Sequence, residues 1–272
     1  MRFHTEGEPK RGVAQEILPG VRRIVADNPG PMTYHGTNTY LIETADGVLL
    51  LDPGPDSPRH VQAVLGAGHG RIAHILLTHA HHDHCGALAA IRSVVDVPTY
   101  AHRNRTGTDF SPDVFLPAGA TIAGMTAIHT PGHTDEHLCF ALPRGVLFTG
   151  DHVMPWSTSV VSHPEGDMSA YFASLSLMLA RSDKLYLSGH GPPLYQPRSY
   201  VEELLRHRQA REDTIIAQLH RSTTTVPGLT QLMYSGLAQE LVAAATHNVL
   251  AHLWKLEQEG RAHSIGELWF IT

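Results

Sequence analysis

Residues 79–84 carry donor groups that divalent metals prefer. The segment "THAHHDHCG" supplies His79, His81, Asp83 and His84 directly after a short apolar run. Zinc binds imidazole nitrogen at about 2.0–2.1 Å and carboxylate oxygen at about 2.0–2.2 Å. Four donors this close in sequence cannot all reach one ion without strain. The spacing therefore predicts two ions, with the first two histidines facing one and the aspartate and third histidine facing the other.

Two ions need further ligands, and three later segments supply them beside glycines, where the backbone can turn sharply to aim a side chain. The segment "HTPGHTDEH" contributes His133, "LFTGDH" contributes Asp151 and "YLSGHG" contributes His190. The predicted arrangement is His79, His81 and His133 on one ion, Asp83, His84 and His190 on the other, and Asp151 between them. Asp52, at the end of "VLLLD", is predicted to orient these ligands from behind, or alternatively to cap a turn or helix.

The segments around these donors read as an alternation of strands and helices up to about residue 195, which indicates an α/β or α+β fold. The pair Asp46-Gly47 between two apolar runs predicts a hairpin turn. Helices are predicted over 57–68 and 169–181, with Ser57 and Ser169 as N-caps. This pattern places the donors in loops that follow buried strands.

The C-terminal segment differs in pattern from the rest of the chain. A charged helix, a short helix and a longer helix with an apolar face precede a hairpin predicted to turn at Ile265-Gly266. This order is typical of a winged-helix module, so we predict one domain over residues 1–200 and a second over 201–272. The third helix has one Lys, three Glu and no Arg between positions 238 and 260, whereas a groove-reading helix needs a basic face. We expect this domain to serve packing, dimerisation or framing of the substrate cleft.

Composition limits the function classes further. The 272 residues are 42% hydrophobic and carry a net charge of −6, which disfavours a globally basic nucleic-acid-binding surface. The two cysteines, Cys85 and Cys139, fit a reducing compartment better than a disulfide scaffold. Since we find no secretory signal and no stretch near the roughly 18–20 apolar residues of a membrane span, we expect a cytoplasmic protein without membrane association.

The motifs "THAHHDH", "HTPGHT", "TGD" and "SGHG", in this order over roughly residues 15–195, resemble the metallo-β-lactamase superfamily. The resemblance implies a four-layer αββα sandwich with the metals at one edge, and metal-dependent hydrolysis. "NPGPMTYHGTNTYLI", "HRQARED" and "THNVLAHLWKLEQEG" are similar to the β-lactamase-like protein 2 group. That group carries an appended winged-helix domain, and its animal member is an endoribonuclease acting on single-stranded RNA.

The resemblance implies two zinc ions that share a bridging hydroxide as the nucleophile, although iron or manganese could occupy the same nitrogen and oxygen ligands. Asp83 and Asp151 are the expected catalytic carboxylates. A phosphodiester of single-stranded RNA is the expected substrate. The alternative is a small carbonyl ester, namely a thioester, a lactone or a β-lactam. A third hypothesis is that the protein is not an enzyme but a winged-helix regulator with a relic metal site.

Substrate contacts are expected from the loop that follows Asp151 and from two more distant residues. Hydroxyls in this loop could hold a phosphate or carboxylate, or simply cap a packed loop. Trp156 could stack on a base or belong to the core. If RNA is the substrate, a strip of arginines on the first C-terminal helix should hold its phosphates. The expected contacts are Ser157, Thr158, Ser159, Asn38 and His137, the last at a recurring position of the β-lactamase-like protein 2 group, and the strip is Arg206, Arg208 and Arg211.

Overall fold

The computed structural model describes residues 1–103 and 110–272, and its first sheet is built from the N-terminal part of the chain. This sheet contains β1 (Gln15–Leu18), β2 (Val21–Val25), β3 (Asn38–Thr44), β4 (Gly47–Leu51), β5 (Ile72–Leu76), β6 (Thr99–Ala101) and β7 (Val114–Phe115). Its strands lie side by side in sequence order. They are antiparallel from β1 to β4 and parallel from β4 to β7.

The second sheet follows in the chain and packs on the first. It contains β8 (Thr121–Ile122), β9 (Met125–His129), β10 (Leu138–Leu142), β11 (Val146–Gly150), β12 (Leu185–Ser188) and β13 (Leu194–Tyr195). Neighbouring strands follow the order β13-β12-β11-β10-β9-β8, and β11 and β12 are parallel whereas the other pairs are antiparallel.

Helices cover the outer faces of both sheets. They are α1 (Pro58–Gly68), α2 (His82–Cys85), α3 (Leu88–Arg92), α4 (Met168–Leu179) and α5 (Arg198–Arg221). Side chains alternate along a strand, so Leu49 and Leu51 of β4 join the core between the sheets, whereas Val48 and Leu50 pack toward α1 and α3. On the other side, α4 and α5 pack on the second sheet. The predicted four-layer αββα sandwich is confirmed.

The C-terminal domain has its own core and its own small sheet. It contains β14 (Thr224–Thr225), α6 (Val226–Met233), a 3₁₀ turn (Gln239–Leu241), α7 (Val242–Gln258), β15 (Ala262–Ile265) and β16 (Leu268–Ile271). The sheet has the order β14-β16-β15, and Trp269 packs with apolar residues of α5, α6 and α7. The winged-helix prediction is confirmed.

Helix α5 belongs to both domains. Tyr200 and Leu204 in its first half pack on the sandwich, whereas Ile215 and Leu219 in its second half enter the C-terminal core. The predicted boundary at 200/201 falls inside this helix and stays a prediction. None of the helices in the described ranges is long and apolar enough to cross a bilayer.

One local prediction was wrong, and both predicted hairpins are present with their turns shifted by one residue. The N-cap of α4 is Asp167 rather than Ser169, because the Asp167 side chain accepts a hydrogen bond from the Ala170 N–H at 2.7 Å. The hairpin expected at Asp46-Gly47 turns one residue earlier, since Gly47 already pairs with Thr44. Gly47 has a φ of +139°, and a Cβ there would lie 2.5 Å from the Arg71 carbonyl, so close packing explains the glycine. The C-terminal hairpin turns at 266–267 and not at Ile265-Gly266, since Ile265 pairs with Leu268.

Candidate metal centre and substrate cleft

Asp52 fixes the loop that follows β5. One oxygen of its carboxylate accepts from the Thr78 N–H at 2.8 Å, and the other accepts from the Thr78 hydroxyl at 2.8 Å and from Nδ1 of His84 at 3.0 Å. Because the hydroxyl proton of Thr78 is donated to Asp52, the hydroxyl oxygen of Thr78 can accept a hydrogen bond from Nδ1 of His79, which lies at 2.9 Å. Nδ1 of each ring is thus held from behind, directly by Asp52 for His84 and through Thr78 for His79, and both Nε2 atoms are turned toward the other donors.

His79, His81 and His133 form the first donor group. The distance from Nδ1 of His81 is 2.9 Å to Nε2 of His79 and 3.0 Å to Nε2 of His133. Nδ1 of His133 donates to the Val160 carbonyl at 2.6 Å, which turns its Nε2 toward the other two rings. The structure thus brings these three imidazoles together, and their role as ligands of one ion stays a prediction.

Asp83, His84 and His190 form the second group, and Asp151 lies between the two groups. Oδ2 of Asp83 is 3.4 Å from Nε2 of His84 and 3.2 Å from Nε2 of His190. Oδ1 of Asp151 lies 3.4 and 3.5 Å from the same two nitrogens. Its Oδ2 lies 3.8 Å from Nε2 of His133. One oxygen of Asp151 therefore faces each group, which is the geometry required to bridge two ions.

The buried polar atoms of this site fit bound cations. Nε2 of His84 and Oδ1 of Asp151 are buried and find no hydrogen-bond partner among the described residues. A buried polar atom left in that state costs about 1–3 kcal/mol. The donor atoms of each three-residue group lie within 4.8 Å of one another. The chain therefore has a His/Asp group able to hold two metal ions.

The titration behaviour of the site also suits cations. Burial and the neighbouring His84 hold the pKa of His79 well below its usual value, so this ring is neutral. Burial alone would raise the pKa of Asp151, but His190 and His84 hold it well below its usual range. Burial likewise opposes protonation of His190, yet Asp151 raises its pKa to about 9. The carboxylates thus strongly attract positive charge, which divalent ions would supply.

Glycines allow the ligand loops to approach this closely. A Cβ on Gly189, just before His190, would lie 2.5 Å from Oδ1 of Asp151 and 2.6 Å from Cε1 of His84. Gly150, with a φ of +46°, would place a Cβ 2.6 Å from Nε2 of His137. Only glycine fits at these two positions without displacing a donor.

An apolar cleft of about 160 Å³ opens onto His133 and Asp151 and runs toward the C-terminal domain. Among the described residues that line it, none is Lys or Arg. The C-terminal domain, for which framing of the substrate cleft was one expected role, supplies one wall, and Leu241 and Ala245 in this wall belong to the apolar face predicted for the third helix. The other apolar lining residues are Pro31, Met32, Met154, Trp156, Val160, Tyr234, Leu237 and Ala244.

The structure divides the expected contacts of the 157–159 loop. Ser157 and Thr158 line the cleft and keep the role expected for them as a prediction. Ser159 is buried, and its hydroxyl donates to the backbone carbonyl of Asp151 at 2.5 Å and to that of His152 at 2.8 Å. Ser159 therefore ties its loop to the metal ligand and is not open to substrate.

Asn38 and His137 are also withdrawn from the substrate side. Asn38 is buried, and its amide donates to the carbonyls of Ser188 and Gly191 at 3.0 and 2.9 Å. His137 is buried as well, and its Nε2 accepts from the Asp151 N–H at 3.3 Å. The expectation of direct contact is corrected for both: they position the strand ends that carry His190 and Asp151.

The predicted arginine strip is not a continuous surface. Arg208 is only 2% exposed, and its guanidinium donates to Asn248 at 3.0 Å and to the Ser159 carbonyl. Arg211 donates to the Met233 carbonyl at 3.1 Å, and Arg206 is exposed. Since the middle residue faces the interior, the strip cannot hold a row of phosphates, and this prediction was wrong.

Asn248 and Arg208 connect the C-terminal domain to the metal centre. Oδ1 of Asn248 accepts from Arg208 and also from the Val161 N–H, each at 3.0 Å. The adjacent Val160 carbonyl holds His133, so one loop joins α7 to a metal donor. Sequence reasoning missed this connection. The available signal was a polar Asn248 next to Ala245 and Val249, two positions of the apolar face predicted for this helix.

Comparison with known proteins agrees with this architecture. The model of the metallo-β-lactamase superfamily matches residues 32–123, and that of the β-lactamase-associated winged helix domain matches residues 225–269. The chain is 31% identical over 267 residues to the β-lactamase-like protein 2 homolog of Drosophila melanogaster, covering 90% of each protein. It is 29% identical over 230 residues to the atrochrysone carboxyl ACP thioesterase of Claviceps purpurea, covering 81% of this chain and 72% of that protein.

Solved structures show the same fold. A β-lactamase domain protein from Burkholderia ambifaria superposes with a TM-score of 0.82 at 22% identity, covering 97% of this chain and 95% of that one. TTHA1623, crystallised in a di-iron-bound form, superposes with a TM-score of 0.56 at 31% identity, covering 65% of this chain and 96% of that one.

Proposed function

The chain belongs to the metallo-β-lactamase superfamily, and we propose that this hydrolase cleaves a carbonyl ester with an apolar acyl group, a thioester first of all. The proposal rests on the apolar cleft, which opens directly onto His133 and Asp151. No Lys or Arg is found among the lining residues that the structure describes. The printed name of the Claviceps purpurea relative, a thioesterase, supports the same class.

Two zinc ions are the proposed cofactors. His79, His81 and His133 would hold one ion, Asp83, His84 and His190 would hold the other, and Asp151 would contribute to both groups. When bound, such ions lower the pKa of a water molecule and polarise the bond to be cleaved. Iron or manganese would fit the same nitrogen and oxygen donors, and the di-iron form of a relative favours iron as the alternative.

The side chains around the cleaved bond have distinct tasks. The hydroxyl of Thr37 donates to Oδ2 of Asp83 at 3.1 Å and fixes this carboxylate, the more exposed of the two acids, at the edge of the cavity. Asp83 is placed to hold a proton of the attacking water, whereas Asp151 lies deeper between the donor groups. In the reaction, the oxygen of water bonds to the carbonyl carbon, the C–S bond breaks, and the thiol leaves with a proton.

Cleavage of single-stranded RNA, the substrate expected from the sequence, is the second candidate, and the similarity to the β-lactamase-like protein 2 homolog keeps it in the test. An RNA backbone needs cations along its path. The cleft has no Lys or Arg among its described lining residues, burial lowers the pKa of the lining residue His207 to about 4, and Arg208 is buried. These observations favour the carbonyl ester.

A parallel assay separates the candidates. Metal-loaded protein is incubated with a neutral acyl thioester, a lactone, nitrocefin and labelled single-stranded RNA, and the Asp151→Ala variant serves as the control for contaminating activity. We expect thioester cleavage that is lost in the variant. RNA cleavage that depends on Asp151, without thioester cleavage, would overturn the proposal.

A further inference from the structure

Three cavities lie in a row from the metal centre into the C-terminal domain. A chamber of about 240 Å³ is bounded by the metal donors and shares Met32 and Val160 with the apolar cleft. The cleft in turn shares Tyr234 and Leu237 with a groove of about 210 Å³ between α6 and α7, whose rim residues Gln231 and Ser235 are exposed. These two side chains therefore separate the cleft from the groove.

The groove can take an apolar guest. Three of its lining residues carry hydroxyls, namely Thr230, Ser235 and Thr246. The hydroxyls of Thr230 and Thr246 donate to the carbonyls of Val226 and Val242 at 2.9 and 2.8 Å within their own helices, and Ser235 is exposed at the rim, where water can bind its hydroxyl. A hydrocarbon chain entering the groove would therefore leave none of these hydroxyls unpaired.

The two separating residues differ in how firmly they are held. The guanidinium of Arg211 lies 4.6 Å from the centre of the Tyr234 ring and also donates to the carbonyl of Met233, so the ring is braced. Leu237 lies in the short connection after Gly236, whose φ is +83°, and is half-buried. Leu237 is thus the part of the partition that a substitution can remove with the least disturbance.

We propose that Tyr234 and Leu237 form a partition that sets the length of acyl group the enzyme accepts. This inference rests on the proposed thioester hydrolysis. The thioester carbonyl lies beside His133 and Asp151, the acyl chain follows the cleft, and the chain ends at the partition. The winged-helix domain thereby selects the substrate, while the sandwich supplies the donor groups.

The test uses the full-length, metal-loaded protein and a series of N-acetylcysteamine thioesters from acetyl to dodecanoyl. Leu237→Ala should move the optimum of kcat/KM to longer chains, with a gain of about fourfold per additional buried methylene. Leu237→Phe should move it to shorter chains. Leu232→Ala is the matched control, because Leu232 is exposed on the preceding helix α6 and lines neither the cleft nor the groove.

The outcomes test the proposed thioester hydrolysis and the partition separately. If the wild-type protein cleaves no thioester, the proposed function falls and the partition falls with it. If the wild-type protein cleaves thioesters and both Leu237 variants keep its chain-length profile, only the partition is overturned. Should Leu237→Ala fail to fold, Leu237→Phe decides alone. An optimum of kcat/KM at shorter acyl chains than in the wild type supports the partition, and an unchanged optimum rejects it.

Discussion

Replacing Asn248 with alanine tests how the winged-helix domain supports the metal centre. Oδ1 of Asn248 accepts from the Val161 N–H and from Arg208, each at 3.0 Å. The preceding carbonyl, of Val160, accepts from Nδ1 of His133 at 2.6 Å. The substitution therefore removes the anchor of the loop that orients one metal donor.

The expected magnitude follows from the two lost hydrogen bonds. A buried N–H left unpaired costs about 1–3 kcal/mol, and a lost hydrogen bond to a charged group costs about 1.5–3 kcal/mol. We expect the metal-free Asn248→Ala protein to lose about 3–5 kcal/mol of unfolding free energy. Loss of support behind a metal ligand typically lowers metal affinity about 10–100-fold, and we expect a decrease in this range.

The assay separates stability from metal binding. Urea unfolding of the metal-free protein measures its stability, and competition with a chromophoric chelator measures its metal affinity. Asn248→Asp is the matched control, because its oxygens can still accept from Val161 and Arg208 and only the donation to Ala244 is lost. A fall in stability with wild-type metal affinity would refute the link to His133, and unchanged stability would refute the hydrogen-bond argument itself.

Two further predictions address the ligand grouping and the C-terminal core. Asp83→Ala and His190→Ala should each bind one equivalent of metal, because each removes a donor of the second group and leaves the first intact; two retained equivalents by mass spectrometry would contradict the grouping. Burial alone would raise the pKa of Glu212, but hydrogen bonds from His252 and Lys255 outweigh it and lower the pKa to about 2. This stabilisation, about 3 kcal/mol, is fully present above pH 4.5 and is lost as pH falls through about 2. The stability difference between wild type and Glu212→Gln should narrow over that interval, and a constant difference would rule out the linkage.

The positions of the donors could be predicted because each lies just after a buried strand. His133, Asp151 and His190 follow β9, β11 and β12, and a short apolar run followed by a glycine-flanked donor marks each of them. This sequence pattern can be recognised without knowing the tertiary structure. The loops meet because the strands that precede them end at the same edge of the sandwich. The order of strands and helices was predictable for the same reason.

Residues whose role depends on distant partners could not be predicted. Asn38 donates to residues 150 and 153 positions away, and Arg208 contacts residues 40 and 49 positions away. In the sequence, Arg208 looks like a charged residue on a solvent-exposed helix. Only the packing of α5 against the 157–161 loop buries it. For the same reason the sequence could not show which residues line the cleft, since its walls come from both domains.

The donors follow strands of both sheets of the sandwich. Four come from the loop and the short helix α2 that follow β5, and the remainder come from segments that follow β9, β11 and β12. A pair of ions held there would cross-link the two sheets of the sandwich. Because ligands that bind only the folded state raise its stability, metal supply would then govern how long the chain survives proteolysis as well as how fast it turns over substrate.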